Sequence, residues 1–199
     1  MMVATPWGYD VDLEAYEGAL PPIITLEEFH DLTGNAFSQD DRIEFEIAAI
    51  SARFRAHCGW HIWPSLSCTA TLDGGERCVW LPATNVTALA SVTVSGNAID
   101  VAACQWSRIG QLRLPPTPDV LSSVAVAYTA GFADCPEDLA LLVAHRVMHN
   151  VAMPFGIASE TVGRVSRSYV TSMASDAGGP NLTRRDRDTL ATWRLEEAV

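Results

Sequence analysis

The sequence contains no lysine, and all thirteen of its basic residues are arginine. Chemistry that depends on a Schiff-base or P-loop lysine is therefore excluded. Basic residues are also outnumbered, thirteen against 24 acids for a net charge of −11, which argues against a simple binder of phosphate backbones. No apolar run approaches the roughly 18 residues of a membrane span. Residues 1–18 lack the charged-then-apolar order of a signal peptide. The expectation is a soluble, intracellular product with no membrane partner. Its five cysteines (Cys58, Cys68, Cys78, Cys104, Cys135) are odd in number and widely spaced, with no CxxC pair, and read as free thiols. No GxSxG, no Walker loop and no GxGxxG opening a helix is present. The neighbouring acids Glu27-Glu28 and Asp40-Asp41 point in different directions on a helix and make no acid/base dyad. Catalysis is not indicated, and no cofactor is expected.

What is present is an apolar fraction of 48% over 199 residues, enough for one compact domain with tails. The charge is unevenly spread. Residues 1–50 hold eleven acids and one base, Arg42, so that the remaining chain is almost neutral. Such asymmetry marks an acidic arm or one strongly negative face.

Residues 1–22 show no period and read as an acidic N-terminal arm. Thr25-Leu-Glu-Glu28 then has capping-box spacing and opens a short helix that Gly34 stops. Ser38-Gln-Asp-Asp41 opens a longer one, with Ile43, Ile47, Ile50 and Phe54 on one face, and Gly59 ends it. Asp40, Asp41, Glu44 and Glu46 crowd its first turns, where acids suit the helix dipole. Short β-branched or alternating runs at 69–72, 77–81, 89–94, 111–114 and 120–128 predict a small antiparallel sheet. Pro136 starts a second long helix whose apolar face is Leu139, Leu142, Val143 and Val147, stopped by Pro154 and Gly156. After a Gly178-Gly179-Pro180 break, residues 182–199 carry only a thin apolar stripe, Leu190 and Trp193, as expected of a helix that docks elsewhere. The predicted fold is α+β and mainly helical: a small bundle with an inserted small antiparallel sheet and flexible arms at both ends. The expected division is an arm at 1–22, a core domain at 23–170, and a C-terminal arm with terminal helix at 171–199.

Two histidine pairs have metal-ligand spacing. His145 and His149 share a helix face at i, i+4, but the segment His-Arg-Val-Met-His lacks the glutamate of a hydrolytic HExxH site. His57 and His61 repeat the spacing across Gly59. No metal site is assigned, and a metal-binding enzyme using His145 and His149 stands as the alternative. Trp60, Trp63, Trp80 and Trp106 are expected to pack in the core, whereas Trp7 and Trp193, one in each arm, have the character of interface anchors.

The order of certain segments is familiar. Ile24-Thr-Leu-Glu-Glu28 precedes a helix ending His57-Cys-Gly59, and Val79-Trp-Leu-Pro82 leads into Val86–Gly96. Val126-Ala-Tyr-Thr-Ala-Gly-Phe132, a Cys135-Pro136 helix start, and Ser159-Glu-Thr-Val-Gly163 with Ser166 and Tyr169 follow. This order resembles the head–tail connector (adaptor) proteins of long-tailed double-stranded DNA phages and related gene-transfer particles. The resemblance implies a structural virion protein at the neck, made in the host bacterial cytoplasm. About twelve copies would form a ring closed by heterologous contacts. That ring would sit below the portal protein, present its far side to the stopper or tail-completion protein, and surround genomic double-stranded DNA without reading its sequence. Another neck component, a stopper or tail terminator, is a further alternative. On this view Asp40, Asp41, Glu44 and Glu46 face the channel, while Arg184, Arg185, Arg187, Leu190 and Trp193 dock on the portal.

Overall fold

A computed structural model describes residues 1–152, 159–162, 165–168 and 182–195. In chain order the elements are β1 (Met2–Ala4), β2 (Tyr9–Asp12), α1 (Leu26–Thr33), α2 (Asp40–Cys58), β3 (Leu66–Leu72), β4 (Cys78–Trp80), β5 (Val86–Val94), β6 (Asn97–Ile99), β7 (Gln105–Trp106), β8 (Gln111–Arg113), β9 (Val124–Ala130), α3 (Glu137–Ala152), β10 (Ser159–Val162), β11 (Val165–Ser168) and α4 (Arg184–Leu190). Short 3-10 turns stand at Glu14–Tyr16, Val101–Ala103 and Ala191–Trp193. The helix stop at Pro154 and Gly156, Gly163, Tyr169 and the Gly178–Pro180 break lie outside the described residues. Among the described residues no helix is long and apolar enough to cross a membrane.

The chain forms two compact units, each assembled from separate stretches. The first comprises Met1–Pro21, Arg55–Cys135 and Trp193–Val199; the second comprises Pro22–Phe54 and Pro136–Thr192. The first unit is built on a six-stranded antiparallel sheet in the order β1-β2-β3-β9-β5-β6. Strand β9 lies at its centre, and Val124, Val126, Tyr128 and Ala130 alternate inward. Leu66, Cys68 and Ala70 of β3 and Tyr9 and Val11 of β2 continue that buried face. Strand β5 accommodates its pairing with β9 by register shifts between Val86 and Ala88 and between Leu89 and Ser91. A second antiparallel sheet, β4-β8-β7, has three strands.

Helices dominate the second unit. Helix α1 starts with the predicted capping box: Thr25 Oγ1 accepts from the Glu28 backbone N–H at 3.1 Å, and Glu28 Oε2 accepts from the Thr25 N–H at 2.7 Å. Gly34 closes it at φ 62°, in the left-handed region. Phe29, Ile43, Ile47, Ile50, Leu139, Val143, Val147 and Leu190 are among the unit's buried apolar side chains. The hairpin β10–β11 pairs Ser159 with Ser168 and Val162 with Val165.

These observations correct the expected fold class. The chain is α+β, but it is not mainly helical and not a bundle with a small inserted sheet; the six-stranded sheet is the larger element of its unit. The expected N-terminal arm supplies two strands, β1 and β2, of which β2 pairs with β3 through Tyr9, Asp10 and Val11. Its sequence signal is short because only Tyr9 and Val11 alternate inward, and long-range pairing rather than local pattern stabilises such a strand. The C-terminal segment is likewise incorporated. The Trp193 carbonyl accepts the Trp60 indole N–H at 2.7 Å, and the Trp193 ring stands edge-on to Phe132.

Candidate interaction surfaces

The acidic start of α2 is divided by the helix wheel. Asp40, Asp41 and Glu44 are exposed, as expected of a charged first turn. Glu46 is not; it is 8% exposed and accepts a hydrogen bond from Asn150 Nδ2 at 2.8 Å. Sequence could have separated it, since Glu46 stands three residues after Ile43 and four before Ile50, on the buried flank of the same stripe. Arg42 donates to the Asn150 backbone carbonyl at 2.9 Å, so this end of α2 is fastened to the end of α3 twice. On the opposite side of α2, Asp41, Phe45, Ala48 and Ala52 form an exposed stripe, with Phe45 71% exposed.

Of the residues expected to dock, Arg184, Arg185 and Arg187 are exposed, whereas Leu190 is fully buried in the second unit. Helix α4 opens with a capping box between Thr183 and Asp186. Asp186 serves a second purpose, for its carboxylate lies 3.6 Å from Arg146 Nε with both side chains nearly buried. Beyond the cap itself, no pattern in the sequence signals this pair. It ties α4 to α3 beside a cleft of about 440 Å³ lined by Asp138, Leu141, Leu142, His145, His149 and Arg185 among others. His149 Nδ1 is buried there without a hydrogen-bond partner among the described residues. His145 and His149 thus share a cleft as their spacing predicts, yet among the described residues no three His, Cys, Asp or Glu side chains are arranged to hold a metal. Leu141 and Met148 extend the apolar edge onto the outer face of α3, at 45% and 37% exposure.

In the first unit the other histidine pair is separated in role. His61 is fully buried, and its Nε2 donates to the Ala130 carbonyl at 3.1 Å. Its Nδ1 accepts from the Tyr9 hydroxyl at 2.8 Å, and that hydroxyl oxygen accepts the His61 backbone N–H at 3.1 Å. Burial pushes the His61 pKa down to about 4, because a charged ring there would lose its water. Arg55 donates to the carbonyls of His61 at 2.9 Å and Trp63 at 2.8 Å, and burial lowers its pKa to about 10. Cys58 and Cys68 are raised to about 12 by burial, which makes them inert thiols. The Tyr-Thr-Ala-Gly-Phe segment closes round this network. Tyr128 is buried, Ala130 supplies the carbonyl, and a Cβ on Gly131 would meet the Pro64 carbonyl oxygen and stand 2.7 Å from His61 Nε2. Phe132 packs on Trp60 and Trp193. Trp60 is core as expected, but Trp80 and Trp106 are 45% and 38% exposed. Both lie on the small β4-β8-β7 sheet, where a three-residue strand such as β4 has too little partner surface to cover an indole.

The structure therefore contains buried polar networks that hold the fold and exposed surfaces suited to macromolecular contact. The model of the family described as "head completion protein" matches residues 22–175. The chain belongs to the head completion protein family. That match runs from the last residues before α1 to beyond β11 and takes in the greater part of both units of this head completion protein, leaving out β1, β2 and α4. Two solved structures share its fold. A chain from the neck of an empty gene transfer agent particle, computed with C6 symmetry, is 15% identical with a TM-score of 0.58, over 91% of this chain and 94% of that one. A chain from the virion of a native gene transfer agent particle is 16% identical with a TM-score of 0.53, over the same shares. No curated protein matches.

Proposed function

We propose that this head completion protein is a structural part of the neck of a phage-like particle, lying between the capsid vertex and the tail. The family match across 22–175 carries this reading. The fold shared with neck and virion chains of gene transfer agent particles supports it. Copies of the chain form a closed ring below the portal and pass DNA through its centre, with a stopper or tail-completion protein on the far side. Its role is mechanical rather than catalytic. Charge suits that role, since a net −11 chain without lysine offers passing DNA few cations to hold it.

Asp40 and Glu44, exposed one turn apart on α2, are assigned to the channel side, while buried Glu46 serves the fold. Arg184 and Arg187, both exposed and about one turn apart on α4, are assigned to the portal. The test is co-sedimentation with the portal ring of the same particle, with bound copies counted. Saturation at one copy per portal subunit is expected; no binding by two folded proteins would reject the placement. Arg184→Glu combined with Arg187→Glu should weaken binding about tenfold or more and flatten its dependence on salt.

A further inference from the structure

We infer that the outer edge of β4 is a docking site for an extended, basic segment of a partner protein, which joins the β4-β8-β7 sheet as a fourth strand. Neither a ring nor a particular place in the neck is needed for it. Among the described residues β4 pairs with β8 alone, so its other side is a sheet edge. The ladder fixes which groups that edge leaves open. The Leu114 N–H donates to the Arg77 carbonyl and the Leu81 N–H to the Gly110 carbonyl, each at 2.8 Å. Bonded positions alternate in an antiparallel pair, so Val79 bonds across to Leu112 while Cys78 and Trp80 turn their N–H and C=O groups outward. These four groups meet no partner among the described residues.

A cavity of about 600 Å³ lies along this edge. Cys78, Val79 and Trp80 all line it, and no residue of β8 does. Successive residues of a strand point to opposite faces, so a cavity that touches all three meets the strand edge-on. Its far wall is already built. The Gly74 N–H donates to the Val120 carbonyl at 3.0 Å, the Gly75 N–H to Thr117 Oγ1 at 3.0 Å, and the Ser122 N–H to Asp73 Oδ1 at 2.7 Å. A Cβ on Gly74 would strike the Pro118 carbonyl oxygen, so glycine there lets the two loops close on each other. Little of the site must be ordered when a segment enters.

Side-chain chemistry selects the occupant. Every charged residue that lines the cavity is acidic: Asp73, Glu76 and Asp119, all exposed. The bases at neighbouring strand positions, Arg77 and Arg113, do not line it. Among the described residues no three acids converge as a metal site would require. Three carboxylates also repel nucleic acid and acidic peptides. They suit spread positive charge on long apolar stems, for which Trp80 and Leu121, 45% and 78% exposed, supply the apolar contact. Main-chain pairing gives such a segment its affinity, and its alternate arginine or lysine side chains give the selection.

The probe is a short fluorescein-labelled peptide alternating arginine and valine, added to the full-length protein. Fluorescence anisotropy should give a dissociation constant on the order of 100 µM. Amide exchange at Cys78 and Trp80 should slow about tenfold or more in the bound state. Replacing arginine by glutamate in the peptide, or methylating its backbone nitrogens, should each weaken binding about tenfold or more. Equal binding by either altered peptide overturns the proposal, as does binding without protection of Cys78 and Trp80, or no binding at about 1 mM. Protection already present in concentrated protein without peptide assigns the edge to a second copy and overturns the basic partner. Glu76→Gln combined with Asp119→Asn should weaken binding about tenfold, and unchanged binding would remove the role given to charge. Both residues are exposed, and an unchanged unfolding midpoint separates lost charge from lost fold.

Discussion

The two units hold their buried polar groups in different ways. In the sheet-based unit, Arg55 and His61 bond mainly to main-chain carbonyls: those of His61, Trp63 and Ala130. In the helical unit, Glu46 meets Asn150 and Arg146 meets Asp186, side chain to side chain. Backbone partners are fixed by the fold and cannot be exchanged by mutation. Side-chain partners can be replaced together, so loss of one should be recoverable by altering the other. The first unit is thus rigid by construction, the second by pairing.

The largest expected effect falls on the first unit. Gly131→Ala has both a positive φ of 103° and the Pro64 carbonyl against it, and should cost about 4 kcal/mol by urea unfolding. A loss below about 1 kcal/mol would mean that the backbone there yields, and the difference between the units would vanish. Next comes Arg146→Met, which leaves the nearly buried Asp186 carboxylate with its capping bond but without its counter-charge and should cost about 3 kcal/mol. Adding Asp186→Asn should recover a measurable part of that loss; strict additivity would remove the pairing account.

Acid titration tests the first unit again. The folded pKa of His61, about 4, lies below its ordinary value of 6.5, so stability is complete above pH 6.5 and falls as the unfolded chain takes up the proton. About 2 kcal/mol should disappear between pH 7 and pH 5. His61→Gln should flatten that slope, whatever it does to the plateau. The smallest effect is Glu46→Gln, which keeps an acceptor for Asn150 Nδ2 and should change stability by less than about 1 kcal/mol, whereas Glu46→Ala should cost about 1–2 kcal/mol.

Local signals are legible. The Thr25–Glu28 capping box and the isoleucine stripe of α2 fix structure within a few residues and form as their patterns imply, while the run read at 120–128 forms a strand only from Val124, ending at Ala130. What escapes a reading of the sequence depends on distant partners. Strand β2 is recognisable only beside β3, which begins at Leu66. Trp193 resembles a free anchor because the group that engages it, the Trp60 indole, is 133 residues away. Trp80 and Trp106 mislead in the opposite sense, since a large apolar side chain does not itself reveal whether enough neighbouring strand exists to cover it. The Tyr-Thr-Ala-Gly-Phe order carries part of the family resemblance, and its physical basis is the carbonyl and the close approach that seat His61.

The bond from Trp60 to Trp193 also sets a schedule. At translation rates of about 5–20 residues per second, the indole emerges on the order of ten seconds before its acceptor. Leu195, whose N–H donates to the Cys58 carbonyl at 3.0 Å, arrives later still. During that interval the Trp60 indole and the Phe132 ring lack the partner that Trp193 supplies in the finished fold. A chain cut short before residue 193 would lack both of these bonds. Residues made early and late in synthesis therefore meet in one unit, whose first strand begins at Met2.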